Sequence, residues 1–441
     1  MIRSLLIANR GEIAVRIIRT CQDMGIRTVA VYSQADAGSL HTKMADSAVC
    51  IGPHPSHESY LNMKNIITAA YATRCDAIHP GVGFLAENPL FAEEVERAGL
   101  IFIGPEPKTM RLVGDKVRSR HSALEAGIPV TPGSMEPVSN SEEGAKLAQQ
   151  IGYPIILKAA AGGGGRGMRI VHTPKELPQA LTIASQEALS FFSDGTIHME
   201  KYVVNPKHIE IQLLADGQGK VIHLGERDCS VQKNHQKLIE ESPSPYFNVA
   251  MRKQMETDAV RLFTKIGYRG AGTIEFLVKD ENYWFMEVNA RVQVEHPVTE
   301  LVSLSDIIRQ QILIASGKEL NLPNPVPRYG HALECRINAT KVGTVTKFSP
   351  PLGPAVRIDT HLFQGAKVSP YYDALVAKII VHTPDRQQSI ATMVRALREL
   401  VIEGIETNVE SQIKILLSEP FQSGIFGTDL YAQIYDDPKK R

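Results

Sequence analysis

Glu275 and Glu287 are the pair whose types and spacing most directly suggest chemistry. Two strand-forming runs, Thr273 to Val278 and Tyr283 to Val288, flank the polar Lys279-Asp280-Glu281-Asn282, which predicts a β-hairpin. A turn centred on Glu281 sets the two glutamates directly across from one another. Like charges in that position destabilise a sheet, so a divalent cation between them would explain the arrangement, and carboxylate oxygens are what hard, phosphate-handling cations take. Alternation carried past the second strand puts Glu287, Asn289, Arg291, Gln293 and Glu295 on one side, with Trp284, Met286 and Val288 on the other. The pattern fits the floor of a site. A solvated face of an antiparallel strand would show it too, and a one-residue slip of register would part the two glutamates.

A second group lies upstream. Pro154 to Lys158 reads as a strand delivering a lysine into Ala159-Ala160-Ala161-Gly162-Gly163-Gly164-Gly165-Arg166-Gly167. Successive glycines permit positive φ and close backbone approach, so their N–H groups can fold over a phosphate. Neither G-x-x-x-x-G-K-[ST] nor a kinase H-R-D is present, which excludes a P-loop and argues against a protein kinase. A flexible linker would also be glycine-rich, but it leaves unexplained why Lys158 precedes the glycines and why Met168 to Val171 resumes a strand at once. Arg227 to Lys237 reads as a polar, basic loop, which as a solvated loop would need no further role. The strand expected from His331 to Asn338 carries Glu334, Arg336 and Asn338 on one face.

These groups need positioning elements, and the chain is long enough to supply them. At 441 residues it exceeds one core and calls for about three domains. It opens with a strand from Ser4 to Ala8, a helix ending near Gly25 and a strand from Arg27 to Tyr32. That β-α-β start is Rossmann-like, but only Gly11 stands where a dinucleotide fingerprint needs three glycines. Glycines 81 and 83 follow the strand at Ala77, where an open α/β sheet binds ligands. Residues 131–203 form a small α+β unit with a helix from Ser141 to Ile151, a plausible lid. Basic and acidic residues balance at 48 each, so no net field points to nucleic acid or a membrane surface. The five cysteines are scattered with no CxxC pair, which favours a reducing compartment and argues against structural zinc. No apolar run reaches membrane-spanning length and the apolar start is too short for a secretory signal, so a cytoplasmic enzyme is expected.

Seven stretches in order, IANRGEIAVRI (7–17), HPGVGFLAEN (79–88), KAAAGGGGRGMR (158–169), RDCSVQKNHQK (227–237), NARVQVEHPVTE (289–300), ECRINA (334–339) and GIETNV (404–409), resemble biotin carboxylase, a member of the ATP-grasp superfamily. The resemblance implies a multidomain α/β and α+β chain. It would comprise a Rossmann-like pre-ATP-grasp domain (1–110), an ATP-grasp domain (111–320) with its lid (131–203), and a C-terminal biotin carboxylase domain (321–441).

By the same resemblance, Lys116 and Lys158 would hold ATP phosphates under a loop containing Gly163, Gly164 and Gly165. Glu200 and Val203 would lie at the adenine, His208 near the ribose, and Lys201 and His235 among the ligand-binding residues. Glu275 and Glu287, with Asn289, would hold Mg²⁺ or Mn²⁺. Lys237, Arg291, Gln293 and the Val294 amide would cradle bicarbonate. Glu295 would be the base, and Arg336 would stabilise the enolate-like ureido oxygen of biotin.

With no Ala-Met-Lys-Met biotin-attachment site, the chain resembles the free-standing subunit of bacterial acetyl-CoA carboxylase in fatty acid synthesis. Such a subunit works with a separate biotin carboxyl carrier protein and carboxyltransferase subunits, and is usually homodimeric. Two positions depart from the family pattern. Val82 stands where a tyrosine usually lies beside biotin, and the acidic, Pro-Ser-Pro-Gly-containing segment usual after Ala339 is missing. The rival readings are another ATP-grasp ligase, such as a carbamoyl-phosphate-synthetase-like or purine-pathway enzyme, and a nucleotide-binding regulatory protein without chemistry. The Arg227–Lys237 stretch with Arg291-x-Gln293-x-Glu295 argues against the first, and the set Lys237, Arg291, Glu295 and Arg336 against the second.

Overall fold

The structure is a computed structural model that describes residues 2–138, 140–160, 167–246 and 248–435. The N-terminal strands Ser4–Ile7, Arg27–Ser33, Ser47–Gly52, Ala77–His79 and Ile101–Phe102 form a parallel sheet in the spatial order third, second, first, fourth, fifth. Strand order reverses between the first and fourth strands, and a doubly wound sheet opens its ligand crevice beyond the carboxyl ends at such a point. Here that crevice is edged by residues 8–11 and 80–88. Asn9 ties the two together, its Nδ2 donating to the carbonyls of Pro80 and Val82 at 2.7 Å each. Gly11 opens the helix Gly11–Asp23 at φ +66°, a conformation that favours glycine.

The unit from Ser141 to Lys201 has its own small core. The strands Met168–Val171, Ile155–Ala159 and Ile197–Lys201 pair antiparallel in that spatial order. The helices Ser141–Ile151 and Leu177–Phe192 cover them, burying Leu157, Val171, Ala184 and Met199. Asn140 caps the first helix by accepting the Glu143 N–H, and Gly152 ends it at φ +79°. Gly163, Gly164 and Gly165 lie outside the described residues.

The largest element is an antiparallel sheet of nine strands. Its main path runs Asn282–Asn289, Arg269–Lys279, Lys207–Asp216, Val221–Lys233, Gln236–Ser242, His331–Lys341, Leu375–Thr383, Val356–Thr360. Pairing of Gln236–Ser242 with His331–Lys341 carries it unbroken into the C-terminal part. The loop expected over Arg227 to Lys237 is instead mostly strand. Val221–Lys233 and Gln236–Ser242 pair around a tight turn whose Asn234 and His235 both have positive φ, +50° and +63°. The charged run hides this because its charges are neutralised in the interior. Lys207 reaches Asp228 at 2.9 Å, Arg252 reaches Glu226 at 2.7 Å, and the fully buried Arg227 pairs with Glu210. Among the described residues no helix is long and apolar enough to cross a membrane.

Candidate active site

The hairpin does place Glu275 opposite Glu287, by a route the expected turn does not contain. The turn is the two residues Asp280 and Glu281, with Lys279 paired to Asn282, so pairing along the outer strands runs one residue out of the anticipated register. A β-bulge between Phe285 and Glu287 inserts Met286 and restores it.

Glu275 is 3% exposed and crowded with donors. Its Oε1 accepts from Lys237 Nζ at 2.9 Å, Asn289 Nδ2 at 2.9 Å and Gln293 Nε2 at 3.0 Å; its Oε2 lies 2.8 Å from His208 Nε2. Burial works to raise its pKa, but Lys237 and His208 outweigh it and hold the carboxyl well below the usual carboxylate range. Glu287 behaves oppositely: burial and the neighbouring Glu275 charge raise its pKa against the pull of Lys116. Paired carboxylates with an amide oxygen at Asn289 supply hard oxygen donors, which suits Mg²⁺ or Mn²⁺.

Lys237 joins Glu275 to two further carboxylates. Its Nζ donates to Glu210 at 2.8 Å, Glu275 at 2.9 Å and Glu295 at 2.6 Å. Glu295, 1% exposed, accepts from Lys237 through Oε1 and from Arg336 through Oε2 at 2.9 Å. Burial would raise its pKa, yet Lys237, Arg336 and Arg227 hold it well below 4.5. The other edge of Arg336 is held by Glu240 Oε1 at 2.6 Å from Nε. Arg291 is aimed by Glu87, whose carboxylate accepts from Arg291 Nε at 2.8 Å and from the Ala290 N–H at 2.9 Å, while Gln293 Oε1 accepts from Arg291 Nη1 at 2.8 Å. The Val294 carbonyl accepts from Lys378 at 2.8 Å. Thus Asn289, Arg291, Gln293, Val294 and Glu295 lie in one region, but not by the expected alternation: the strand ends at Asn289 and the later residues lie in a turn before the helix His296–Ser303.

The remaining predicted residues divide. Lys158 donates to Glu200 at 2.7 Å, as does the Thr131 hydroxyl, and Glu200 falls to about 2 because Lys158 and Arg120 overcome burial. Lys116 begins the helix Lys116–Glu125; burial lowers its pKa, Glu287 raises it and Lys158 opposes, so these three charges share one region. Lys201 commits its ammonium to the carbonyls of Gly152 and Tyr153, each at 2.9 Å. Val203 is half-buried in the connection to Lys207. Both ring nitrogens of His208 are engaged within the wall, Nε2 by Glu275 and Nδ1 by Gln232 at 2.7 Å. His235 sits exposed in its turn.

Several residues of the site escaped sequence reasoning. Glu210 takes both Arg227 and Lys237, Glu240 holds Arg336, Glu87 holds Arg291, and Lys378 holds Val294. Only Glu210 had a visible signal, the polar phase of His208-Ile209-Glu210-Ile211-Gln212; the partners of the other three lie at least 84 residues away in the chain.

A doubly wound N-terminal sheet, an α+β unit presenting Lys158, and a carboxylate-lined antiparallel floor define an ATP-grasp enzyme. Residues 1–110 match the biotin carboxylase N-terminal domain, residues 115–322 the ATP-binding domain of the carbamoyl-phosphate synthase L chain, and residues 334–433 the biotin carboxylase C-terminal domain. Biotin carboxylase of Allochromatium vinosum is 49% identical over 433 residues, covering 96% of each chain. Biotin carboxylase 1 of Bacillus subtilis is 49% identical over 447 residues, covering 99% of each. The Campylobacter jejuni biotin carboxylase complexed with β,γ-ATP superposes with a TM-score of 0.96 at 46% identity, over 98% of this chain and 99% of that one. The biotin carboxylase domain dimer of Hydrogenobacter thermophilus 2-oxoglutarate carboxylase, with MgADP, ADP and bicarbonate, gives 0.94 at 42% identity, over 99% and 98%. The chain belongs to the biotin carboxylase family.

Proposed function

We propose that this chain carboxylates biotin at the expense of ATP and bicarbonate, the biotin being carried on a biotin carboxyl carrier protein. The observation that carries this reading is the single file Glu275–Lys237–Glu295–Arg336. It sets a metal-type carboxylate, an anion-binding ammonium, a base and an oxyanion-stabilising guanidinium in successive hydrogen-bond contact.

The roles are those the family resemblance implies, and the charges gathered at the site support them. Lys116 and Lys158 hold the ATP phosphates, which the run containing Gly163, Gly164 and Gly165 is expected to cover; Glu200 and Val203 meet the adenine, and Lys201 is a further nucleotide-binding residue. Glu275, Glu287 and Asn289 hold Mg²⁺ or Mn²⁺, which draws charge from the phosphates when bound. Lys237, Arg291, Gln293 and the Val294 amide take bicarbonate, a planar anion suited to a guanidinium fork. Glu295 accepts the bicarbonate proton as the anion attacks the γ-phosphorus, giving carboxyphosphate and ADP. As long as Lys237 and Arg336 face Glu295 it is a weak base; an arriving anion that draws them away raises its basicity. Carboxyphosphate then releases CO₂, the phosphate takes the proton from the ureido nitrogen, and that nitrogen attacks CO₂ while Arg336 stabilises the developing ureido oxyanion.

Further readings belong with this one. Residues 1–110, 111–320 and 321–441 act as N-terminal, ATP-grasp and C-terminal domains, and 131–203 closes over the nucleotide as a lid. The chain works as a homodimer in the cytoplasm, supplying carboxybiotin to the carboxyltransferase subunits of acetyl-CoA carboxylase for fatty acid synthesis. Transfer of labelled bicarbonate to biotinylated carrier protein, with matching ADP release, tests the activity. ATP cleavage indifferent to bicarbonate would refute it.

A further inference from the structure

We infer that Lys378 is a positioning residue for bicarbonate, fixing the Val294–Glu295 peptide from beneath. This rests on the proposed function, which puts bicarbonate at Lys237, Arg291 and Val294. Lys378 lies mid-strand in Leu375–Thr383 and is fully buried. Its cross-strand partners are Arg336 on one side and Asp359 on the other. Directly opposed residues project from the same face of a sheet, so Arg336, Lys378 and Asp359 form one row facing the segment that begins at Val294. Arg336 grips the Glu295 carboxylate at 2.9 Å, and Lys378 grips the carbonyl of the residue before it at 2.8 Å. Two neighbouring cations therefore hold Glu295 by its carboxylate and by the peptide that precedes it. No strand pairing constrains residues 290–295, and fixing the Val294 carbonyl sets the plane of the peptide that carries Glu295.

The charge of Lys378 is balanced from elsewhere in the chain. Its Nζ lies 3.2 Å from Glu12 Oε1, in the first turn of the helix Gly11–Asp23, and 3.9 Å from Asp359 Oδ2. Burying an ammonium in a sheet is costly without such partners, and apolar residues of similar volume would pack as well. Holding the loop gives the charge a use. It also makes Glu12, from the N-terminal sheet unit, the outer end of a rod whose inner end is the bicarbonate loop.

The experiment measures ATP cleavage against bicarbonate and ATP concentration for the full chain, Lys378→Met and Glu12→Gln, with thermal melting of each. Wild-type cleavage indifferent to bicarbonate defeats the proposed function itself. With wild-type dependence present, folded Lys378→Met is expected to raise KM for bicarbonate about tenfold or more, the effect of losing one charge-assisted hydrogen bond, while KM for ATP stays within about twofold. Unchanged bicarbonate KM, or parallel losses in both constants, overturns the positioning role. If Lys378→Met does not fold, Glu12→Gln decides. A bicarbonate-selective rise of about threefold, from weakening one buried charge contact, supports the inference, and no selective rise overturns it.

Discussion

Glu275 and Glu287 stand opposite each other because Met286 is an extra residue in the second strand of their hairpin. Without the bulge, the two-residue turn would pair Glu275 with Met286 and move the second carboxylate to the other face. Deleting Met286 itself removes the extra residue and leaves Glu275 opposite Glu287 in an unbroken ladder, so metal-dependent ATP cleavage is expected to survive it, read by cleavage across an Mg²⁺ titration beside a thermal melt. Cleavage lost in a folded deletion variant would show that the facing of the two carboxylates is not what the site depends on.

The two carboxylates should respond differently to neutralisation. Glu287 has a raised pKa, so its charge costs stability once pH exceeds the unfolded carboxyl value, whereas the lowered pKa of Glu275 means its charge stabilises there. Glu287→Gln is expected to weaken metal dependence and raise the melting temperature of the metal-free protein at pH 7. Glu275→Gln should lose activity and melt lower, because Lys237 and His208 lose their charged partner. Equal melting temperatures for both variants would contradict this assignment of charges.

Much of this site was legible in the sequence because polar and apolar residues alternate through Glu287 to Glu295. The turn was misplaced by half a step, since nothing in Lys279 to Asn282 marks a two-residue turn with the strength of Asn-Gly; the bulge compensated. The strand Val221–Lys233 was less legible. Glu226, Arg227 and Asp228 look solvated, and only their partners Arg252, Glu210 and Lys207 reveal burial. Lys378 sits within Leu375 to His382, where one lysine among apolar residues gives no hint that a carbonyl 84 residues away needs a donor.

Removing the proposed base tests the chemistry. Glu295→Gln is expected to lower bicarbonate-dependent ATP cleavage by about 10²- to 10⁴-fold, the usual contribution of a positioned base, with nucleotide binding retained. A loss of about tenfold or less would leave Glu295 as a holder of Lys237 and Arg336 only.

Acid should unfold the C-terminal part through Glu241. Arg386 Nε reaches it at 2.6 Å and His331 Nε2 at 3.1 Å, and these partners lower its carboxyl to about 2 against the effect of burial. A carboxyl lowered from 4.5 to about 2 contributes stability that is complete above pH 4.5 and fades as pH falls toward 2. The shift corresponds to about 3 kcal/mol. Glu241→Gln should melt lower at pH 7 and lose less stability than wild type between those limits; parallel melting curves against pH would refute the assignment.

Val82 offers the last test. Its carbonyl is fixed by Asn9, and the neighbouring Phe84 stacks on Tyr60 with ring centroids 5.0 Å apart, within a group that includes Tyr372. The backbone of residues 80–88 is thus held independently of the side chain at 82, so substitution there should leave the loop in place. If biotin lies against this loop, as the family resemblance implies, the absent aromatic contact costs about 1 kcal/mol, near fivefold in affinity. A carrier-tethered biotin offsets that through effective concentration, whereas free biotin does not. Wild type should therefore use free biotin poorly and carrier-bound biotin well. Val82→Tyr should lower KM for free biotin about fivefold and leave KM for ATP unchanged. If the substitution leaves free-biotin kinetics as they were, Val82 has no part in holding the ring.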